Sequence, residues 1–133
     1  MKNNRKPSVL VVDDDHMMRE MLKLILHSDD YQVLGEAANG KNAITLCANL
    51  KPGLVLLDIN MPEMDGLQAL EEIRKISPAT KVIMVSAEAT MDRVSEAIKK
   101  GAVGFVVKPL NATSVLGKIE SCFRKGGLQW RTS

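Results

Sequence analysis

Short apolar runs alternate with amphipathic stretches along the chain. Five runs have the length and composition of buried β-strands: residues 8–12 (SVLVV), 32–37 (QVLGEA), 54–57 (LVLL), 81–85 (KVIMV) and 104–107 (GFVV). Apolar residues with the spacing of one helix face lie between and after them: Met18, Met21, Leu22, Ile25 and Leu26; Ala69, Leu70, Ile73 and Ile76; Val94, Ala97 and Ile98; and Val115, Ile119, Cys122 and Phe123. The alternation predicts five strands and five helices.

Strands that alternate with helices favour a parallel sheet that is covered by helices on both faces. The chain-breaking residues Gly53, Pro78 and Gly101 fall between the predicted elements, where they interrupt none of them. We therefore predict an α/β fold, a doubly wound five-stranded parallel sheet with five helices.

The composition narrows the class of protein. The chain has 133 residues, which is the length of one domain, and 45% apolar and 26% charged residues, as in ordinary globular proteins. A net charge of +2 and 3% aromatic residues do not indicate a nucleic-acid partner. Cys47 and Cys122 form no CxxC motif, which favours reduced thiols. Three aspartates interrupt the first apolar run, so it resembles neither a secretion signal nor a membrane span. We expect a cytoplasmic protein without a nucleic-acid or membrane partner.

Polar residues stand where the predicted strands end. Asp13 and Asp14 follow the first strand, Asp58 ends the third, Ser86 ends the fourth and Lys108 ends the fifth. In open α/β sheets, ligands bind at the carboxyl ends of the strands, and in the flavodoxin-like order 2-1-3-4-5 strands one and three flank the point where the order reverses. We therefore expect these five side chains to converge on one edge of the sheet.

Three carboxylates at such an edge predict a metal site. Acids that lie close together repel one another and raise each other's pKa unless a cation lies among them. Oxygen ligands without histidine or cysteine select Mg²⁺, or Mn²⁺, rather than zinc. A metal also explains why Asp58, which ends an apolar strand, is a carboxylate at all.

The motifs VVDDD, LLDINMPEMDG, VSAE and GFVVKPL together resemble the receiver domain of two-component response regulators. The resemblance extends from about residue 7 to residue 126. It implies that Asp58 accepts a phosphoryl group from a histidine kinase in a Mg²⁺-dependent reaction. It also implies that Asp14, Asp58 and the backbone carbonyl of Asn60 bind the metal, with Asp13 acting through water.

The same resemblance implies roles for residues on the last two strands. Lys108 would pair with the phosphoryl oxygens, Ser86 and Ala87 would contact them, and Phe105 occupies the aromatic switch position. It further implies a cis peptide bond before Pro109. The output surface would be formed by the fourth helix, the fifth strand and the fifth helix, about residues 91–125.

Several of these residues have simpler interpretations. Asp15 and Asp65 are expected to be helix N-caps, because each precedes a helical pattern. His16 is expected to be an exposed first-turn residue rather than a ligand, since the acids around it suit a hard ion. Phe105 is as well explained by a core position on a strand as by a switch.

The domain organisation expected from the resemblance is a receiver domain at 7–126, a basic tail at 1–6, a tail at 127–133 after a helix stop at Gly126 and Gly127, and no output domain. The segment before Lys108 lacks the acidic pair of winged-helix regulators, and Asn60 and Glu88 match the chemotaxis type. A fragment of a longer regulator and a phosphorelay or phosphate-sink receiver stay open as alternatives.

Two other classes fit the sequence less well. A haloacid-dehalogenase-like phosphatase needs a second titratable aspartate two residues after the nucleophile, and that position is Asn60. A dinucleotide-binding domain needs a glycine-rich turn where this chain has aspartates. We therefore expect no enzyme activity beyond the chain's own phosphorylation and dephosphorylation, with a kinase, an unidentified effector and a phosphatase as candidate partners.

Overall fold

The computed structural model describes residues 6–125, of which Lys125 is described by its backbone alone. The predicted tails, apart from Lys6, and the predicted helix stop at Gly126 and Gly127 lie outside these residues. The elements alternate along the chain as β1 (Val9–Val12), α1 (His16–Ser28), β2 (Val33–Ala37), α2 (Gly40–Leu50), β3 (Leu54–Asp58), α3 (Gly66–Ile76), β4 (Lys81–Ser86), α4 (Met91–Lys99), β5 (Gly104–Val107) and α5 (Ala112–Lys125).

The strands form one parallel sheet in the order β2-β1-β3-β4-β5, so the predicted fold class and strand order are confirmed. The register brings the carboxyl ends of neighbouring strands level with one another. Val12 pairs with Leu57, and Ser86 pairs with Val107. Residues that follow these strands therefore begin side by side at one edge.

Alternate strand residues pack against helices on opposite faces of the sheet. On one face Val12, Val55 and Leu57 contact a cluster that includes residues of α2, α3 and α4. On the other face Val11 and Leu56 belong to a cluster with α1 and α5. Complete burial of an aliphatic side chain contributes about 1.5–3 kcal/mol, so the apolar strands anchor both layers and hold their polar ends in place.

The ends of the helices follow the cap residues in the sequence. The Asp15 carboxylate accepts a hydrogen bond from the Met17 amide at the start of α1, and Asp65 forms a capping box with Gln68 at the start of α3. Both predicted N-caps are confirmed. The predicted strands agree with the structure to within one residue at each end.

Helix α2 follows the second strand and completes the predicted count of five helices. It begins after Asn39, whose side-chain oxygen accepts from the Asn42 amide, and its buried residues, Gly40, Ala43 and Cys47, are all small. Over residues 6–125, every helix is too short or too polar to span a bilayer.

Candidate functional site

Asp13, Asp14 and Asp58 meet at the carboxyl edge of the sheet. One carboxylate oxygen of each lies within 4.8 Å of the others. Asp13 is 0% exposed and Asp58 is 4% exposed, whereas Asp14 is open to solvent. The neighbouring positions of β1 and β3 in the sheet produce this arrangement, because the acids directly follow or end those two strands.

Lys108 supplies a cation to the same cluster. It follows β5 and reaches across the end of β4, so that Nζ lies 3.0 Å from Asp13 Oδ2 and 3.6 Å from Asp58 Oδ1. Burial lowers the pKa of Lys108, but the hydrogen bond to Asp13 and the negative charge of Asp58 raise it by more. The side chain therefore stays protonated at neutral pH.

The surroundings of Asp58 raise its pKa from the usual 3.8 to about 6. Burial is the largest cause, and the charge of Asp13 adds to it. The Lys108 ammonium and the backbone N–H of Asn60 oppose the shift but do not cancel it. Asp58 is therefore a carboxylate held in surroundings that disfavour its charge.

The loop after β3 brings the start of α3 against the backbone of Asp58. The Gly66 amide donates to the Ile59 carbonyl over 2.7 Å. A Cβ atom on Gly66 would lie 2.1 Å from the Asp58 carbonyl oxygen and 2.7 Å from Ile59 Cα. Only glycine permits this approach, so Gly66 fixes where Asp58 and the exposed Asn60 lie.

Ser86 and Ala87 lie at the end of β4, whereas Phe105 lies within β5, paired with Met84. Ser86 is fully buried, and its Oγ accepts from the Glu88 amide over 3.1 Å. Ala87 is exposed, and Phe105 is half-buried against the cluster that includes α2, α3 and α4. The peptide bond between Lys108 and Pro109 is cis.

Arg19 contacts the site and is itself bound by Glu36, although neither residue belongs to a motif that indicates this chemistry. Arg19 Nη1 donates to the Asp13 carbonyl over 2.8 Å, and Arg19 Nε donates to Glu36 Oε1 over 2.7 Å. The two residues are 17 positions apart and stand on α1 and β2. The sequence signal that could have identified Arg19 is its position one turn into the helix that follows the acids.

The ligand chemistry of the cluster fits a hard divalent ion. In the described part of the chain, the residues grouped closely enough to bind a metal are carboxylates, without histidine or cysteine. His16 is exposed, and its Nδ1 lies 3.4 Å from Arg19 Nη2, outside the carboxylate group. The residues present therefore suit Mg²⁺ or Mn²⁺.

This edge of acids and one lysine at the reversal of a 2-1-3-4-5 sheet characterises a family of signalling domains. The sequence matches the profile of the response regulator receiver domain over residues 9–120. The chain belongs to this family.

Three similar proteins narrow the type. The chain is 48% identical to the chemotaxis protein CheY of Listeria monocytogenes over 112 residues, covering 84% of this chain and 94% of that protein. It is 48% identical to CheY of Thermotoga maritima over 108 residues, covering 81% and 90%. The crystal structure of the CheX–CheY–BeF₃–Mg²⁺ complex from Borrelia burgdorferi superposes with a TM-score of 0.85 at 36% identity, covering 87% of this chain and 88% of that one.

These matches make the chain a CheY-like receiver, a phosphorylatable signalling domain of the two-component type. Receivers of this type bind Mg²⁺ in their acidic pocket, accept phosphate from histidine kinases and act on effector partners.

Proposed function

We propose that the protein is a phosphorylatable switch in which Asp58 accepts a phosphoryl group from a histidine kinase in a Mg²⁺-dependent reaction. The supporting observation is the position of Asp58, which is buried beside Asp13 and Lys108 and yet ends the strand at an accessible edge. The cation and the neighbouring acids around Asp58 favour a role in phosphoryl transfer over a purely structural role.

The chemistry follows from the residues. An Asp58 carboxylate oxygen attacks phosphorus, the P–N bond to the donor histidine breaks, and its electron pair passes to the imidazole nitrogen. Asp14, Asp58 and the Asn60 carbonyl would hold Mg²⁺, with Asp13 acting through water, and the bound ion would neutralise charge on the phosphoryl oxygens. The Mg²⁺ named in the Borrelia complex supports this assignment.

Lys108 changes partner in the proposed reaction. Before transfer its ammonium is closer to Asp13 than to Asp58. Phosphorylation replaces one negative charge at Asp58 with about two, which attracts Lys108 toward the phosphoryl oxygens. Ser86 and Ala87 would contact another phosphoryl oxygen, because the Ser86 oxygen accepts from the Glu88 amide and its O–H stays available to donate.

The output is proposed to leave through α4, β5 and α5. This surface combines half-buried Phe105 with the exposed apolar residues Ile98 and Val107. The surface also carries the basic residues Lys99, Lys100, Lys118 and Arg124. Of these, Lys100 already pairs with Glu71 over 2.7 Å. The CheX–CheY complex of Borrelia supports a protein partner of some kind for this chain.

A phosphorylation assay tests the proposal. Incubation with acetyl phosphate and Mg²⁺ should add one phosphoryl group by intact-mass spectrometry, and Asp58→Asn should abolish the adduct. Asp15→Asn is a matched control, because this acid caps α1 outside the cluster. An unchanged adduct on Asp58→Asn, or its loss on Asp15→Asn, would contradict the assignment.

Lys108→Ala and the phosphoryl mimic beryllofluoride test the switch. The variant should acquire the phosphoryl group more slowly, because the fixed cation beside Asp58 is gone. Beryllofluoride should shift amide resonances at Phe105 and along residues 91–125 as well as near Asp58. Shifts confined to the carboxyl edge would favour a phosphate sink instead.

A further inference from the structure

The guanidinium of Arg19 joins the acid cluster to a neighbouring strand. Nη1 donates to the Asp13 carbonyl over 2.8 Å, and Nε donates to Glu36 Oε1 over 2.7 Å. The Arg19 side chain is 15% exposed, so these bonds lie largely outside bulk water. The planar fork of arginine suits two acceptors with fixed positions.

The bond to Asp13 acts where the sheet no longer holds the chain. Strand β1 ends at Val12, and the Asp13 amide still donates to the Ala37 carbonyl over 3.1 Å. The Asp13 carbonyl belongs to the planar peptide group that leads into Asp14. Arg19 therefore fixes the peptide plane between the two acids.

We infer that Arg19 is a positioning residue for the Asp13–Asp14 acid pair, and that divalent-ion binding at the site depends on its bond to the Asp13 carbonyl. The inference rests on the proposed metal-binding function. Asp13 has its side chain held by the Asp15 amide and Lys108. Asp14 is exposed, and the backbone that carries it is the part that Arg19 orients.

The two possible roles of Arg19 predict opposite changes in metal affinity when the residue is removed. A cation near the acids repels an incoming divalent ion, so by charge alone its removal would tighten binding. Loss of the orienting hydrogen bond has the opposite effect. Glu36 pairs with Arg19 and with Lys23, whose Nζ lies 2.6 Å from Glu36 Oε2, so its single negative charge offsets part of both positive charges.

Lys23 is a matched control for Arg19. It stands one turn further along α1 and pairs with the same Glu36 carboxylate, while its other ion pair is to Glu20. Lys23→Ala removes a nearby positive charge and a Glu36 contact but leaves the Arg19–Asp13 bond in place. Arg19→Ala also removes one positive charge and one Glu36 contact, and in addition it removes the bond to the Asp13 carbonyl.

The experiment measures the Kd for Mg²⁺ by calorimetry on the whole chain. Arg19→Ala should weaken binding about tenfold, the lower end of the effect of outer-shell partners of metal ligands. Lys23→Ala should stay within about twofold of wild type or bind slightly more tightly, because its loss removes only repulsive charge. Arg19→Lys, which has one nitrogen for two acceptors, should lie between.

A second measurement uses the metal-free protein. The Asp14 amide resonance should shift more in Arg19→Ala than in Lys23→Ala, because its peptide group loses a hydrogen bond only in the first variant.

If wild type fails to bind Mg²⁺, the proposed metal site fails, and the amide comparison still decides the role of Arg19. Equal or tighter Mg²⁺ binding by Arg19→Ala, equal weakening by Lys23→Ala, or equal Asp14 shifts in both would overturn the inference. Should Arg19→Ala not fold, Arg19→Lys takes its place in both measurements.

Discussion

The two edges of the sheet bury polar groups in different ways. At the amino edge, just before β4 and β3, Ser77 and Thr80 are buried with their hydroxyl oxygens 2.6 Å apart, and Thr80 Oγ1 donates to the Pro52 carbonyl over 2.7 Å. At the carboxyl edge, Asp13 and Asp58 are buried beside one lysine. One edge carries neutral, mutually satisfied groups, and the other carries net negative charge.

The difference separates stability from function. Neutral hydroxyls that bond one another add to stability and bind nothing further. Acids that outnumber their cation cost stability until a ligand arrives, and that cost is what makes a ligand bind. The amino edge therefore serves the fold, and the carboxyl edge is suited to the proposed switch.

The largest expected effect concerns the close approach at the carboxyl edge. Gly66→Ala places a Cβ 2.1 Å from the Asp58 carbonyl oxygen, so the loop or α3 must move. We expect a loss of about 3 kcal/mol in the free energy of unfolding, the upper end of the usual cost of overpacking. Gly117→Ala, with nothing within 4 Å of the added Cβ on α5, should instead stabilise by about 0.5–1 kcal/mol. Urea denaturation of both variants checks the contrast, which fails if they behave alike.

The stability of the protein should depend on pH through Asp58 at the carboxyl edge, whereas the hydroxyl groups of the amino edge do not titrate in this range. In the metal-free protein the raised pKa of Asp58, about 6 against a usual 3.8, means that the native state holds more protons than the unfolded state in that interval. Stability should therefore fall by about 3 kcal/mol as pH rises from about 4 to above 6. Asp58→Asn should lack this fall and be the more stable protein at neutral pH. Parallel pH profiles for the two proteins would refute the raised pKa of Asp58.

Mg²⁺ should stabilise the protein through the carboxyl edge alone. At about a hundred times Kd, the ion adds about 2.7 kcal/mol. Melting temperatures with and without Mg²⁺ should show the same gain in wild type and in Thr80→Val, because distant sites contribute independently. The gain should be much smaller in Asp58→Asn. If the melting temperature of wild type does not change with Mg²⁺, the proposed metal site is wrong.

The smallest effect is expected at the amino edge. Thr80→Val leaves the buried Pro52 carbonyl and Ser77 hydroxyl without their partner and should cost about 2 kcal/mol. Thr45→Val, at an exposed helix position, should cost far less. Phosphorylation by acetyl phosphate should be unchanged in both. Slower phosphorylation in Thr80→Val at full folding would show that the edges are coupled.

The sequence predicted the elements and the main acids because both depend on local patterns. Apolar runs with breakers on either side predict the strands, and the positions of Asp13, Asp14 and Asp58 at strand ends predict the acid cluster. Parallel strands carry their carboxyl ends to one edge, so the sequence alone predicts that these acids lie together.

The contacts that adjust the site were beyond sequence reasoning. Nothing in the chain indicates that Arg19 turns toward the Asp13 carbonyl, since that depends on a rotamer and on Glu36 from another strand. The need for glycine at position 66 arises from a backbone contact in three dimensions. The closer approach of Lys108 to Asp13 than to Asp58 likewise follows from packing.

The single lysine among three acids also sets the valence of the ion that the edge accepts. Three carboxylates and one ammonium leave two negative charges when all are ionised. A monovalent ion such as K⁺ leaves one of them uncompensated, whereas a divalent ion cancels both. At the proposed metal site the abundant monovalent salt of a cell would therefore be a poor competitor, and occupancy would follow the concentration of free divalent metal.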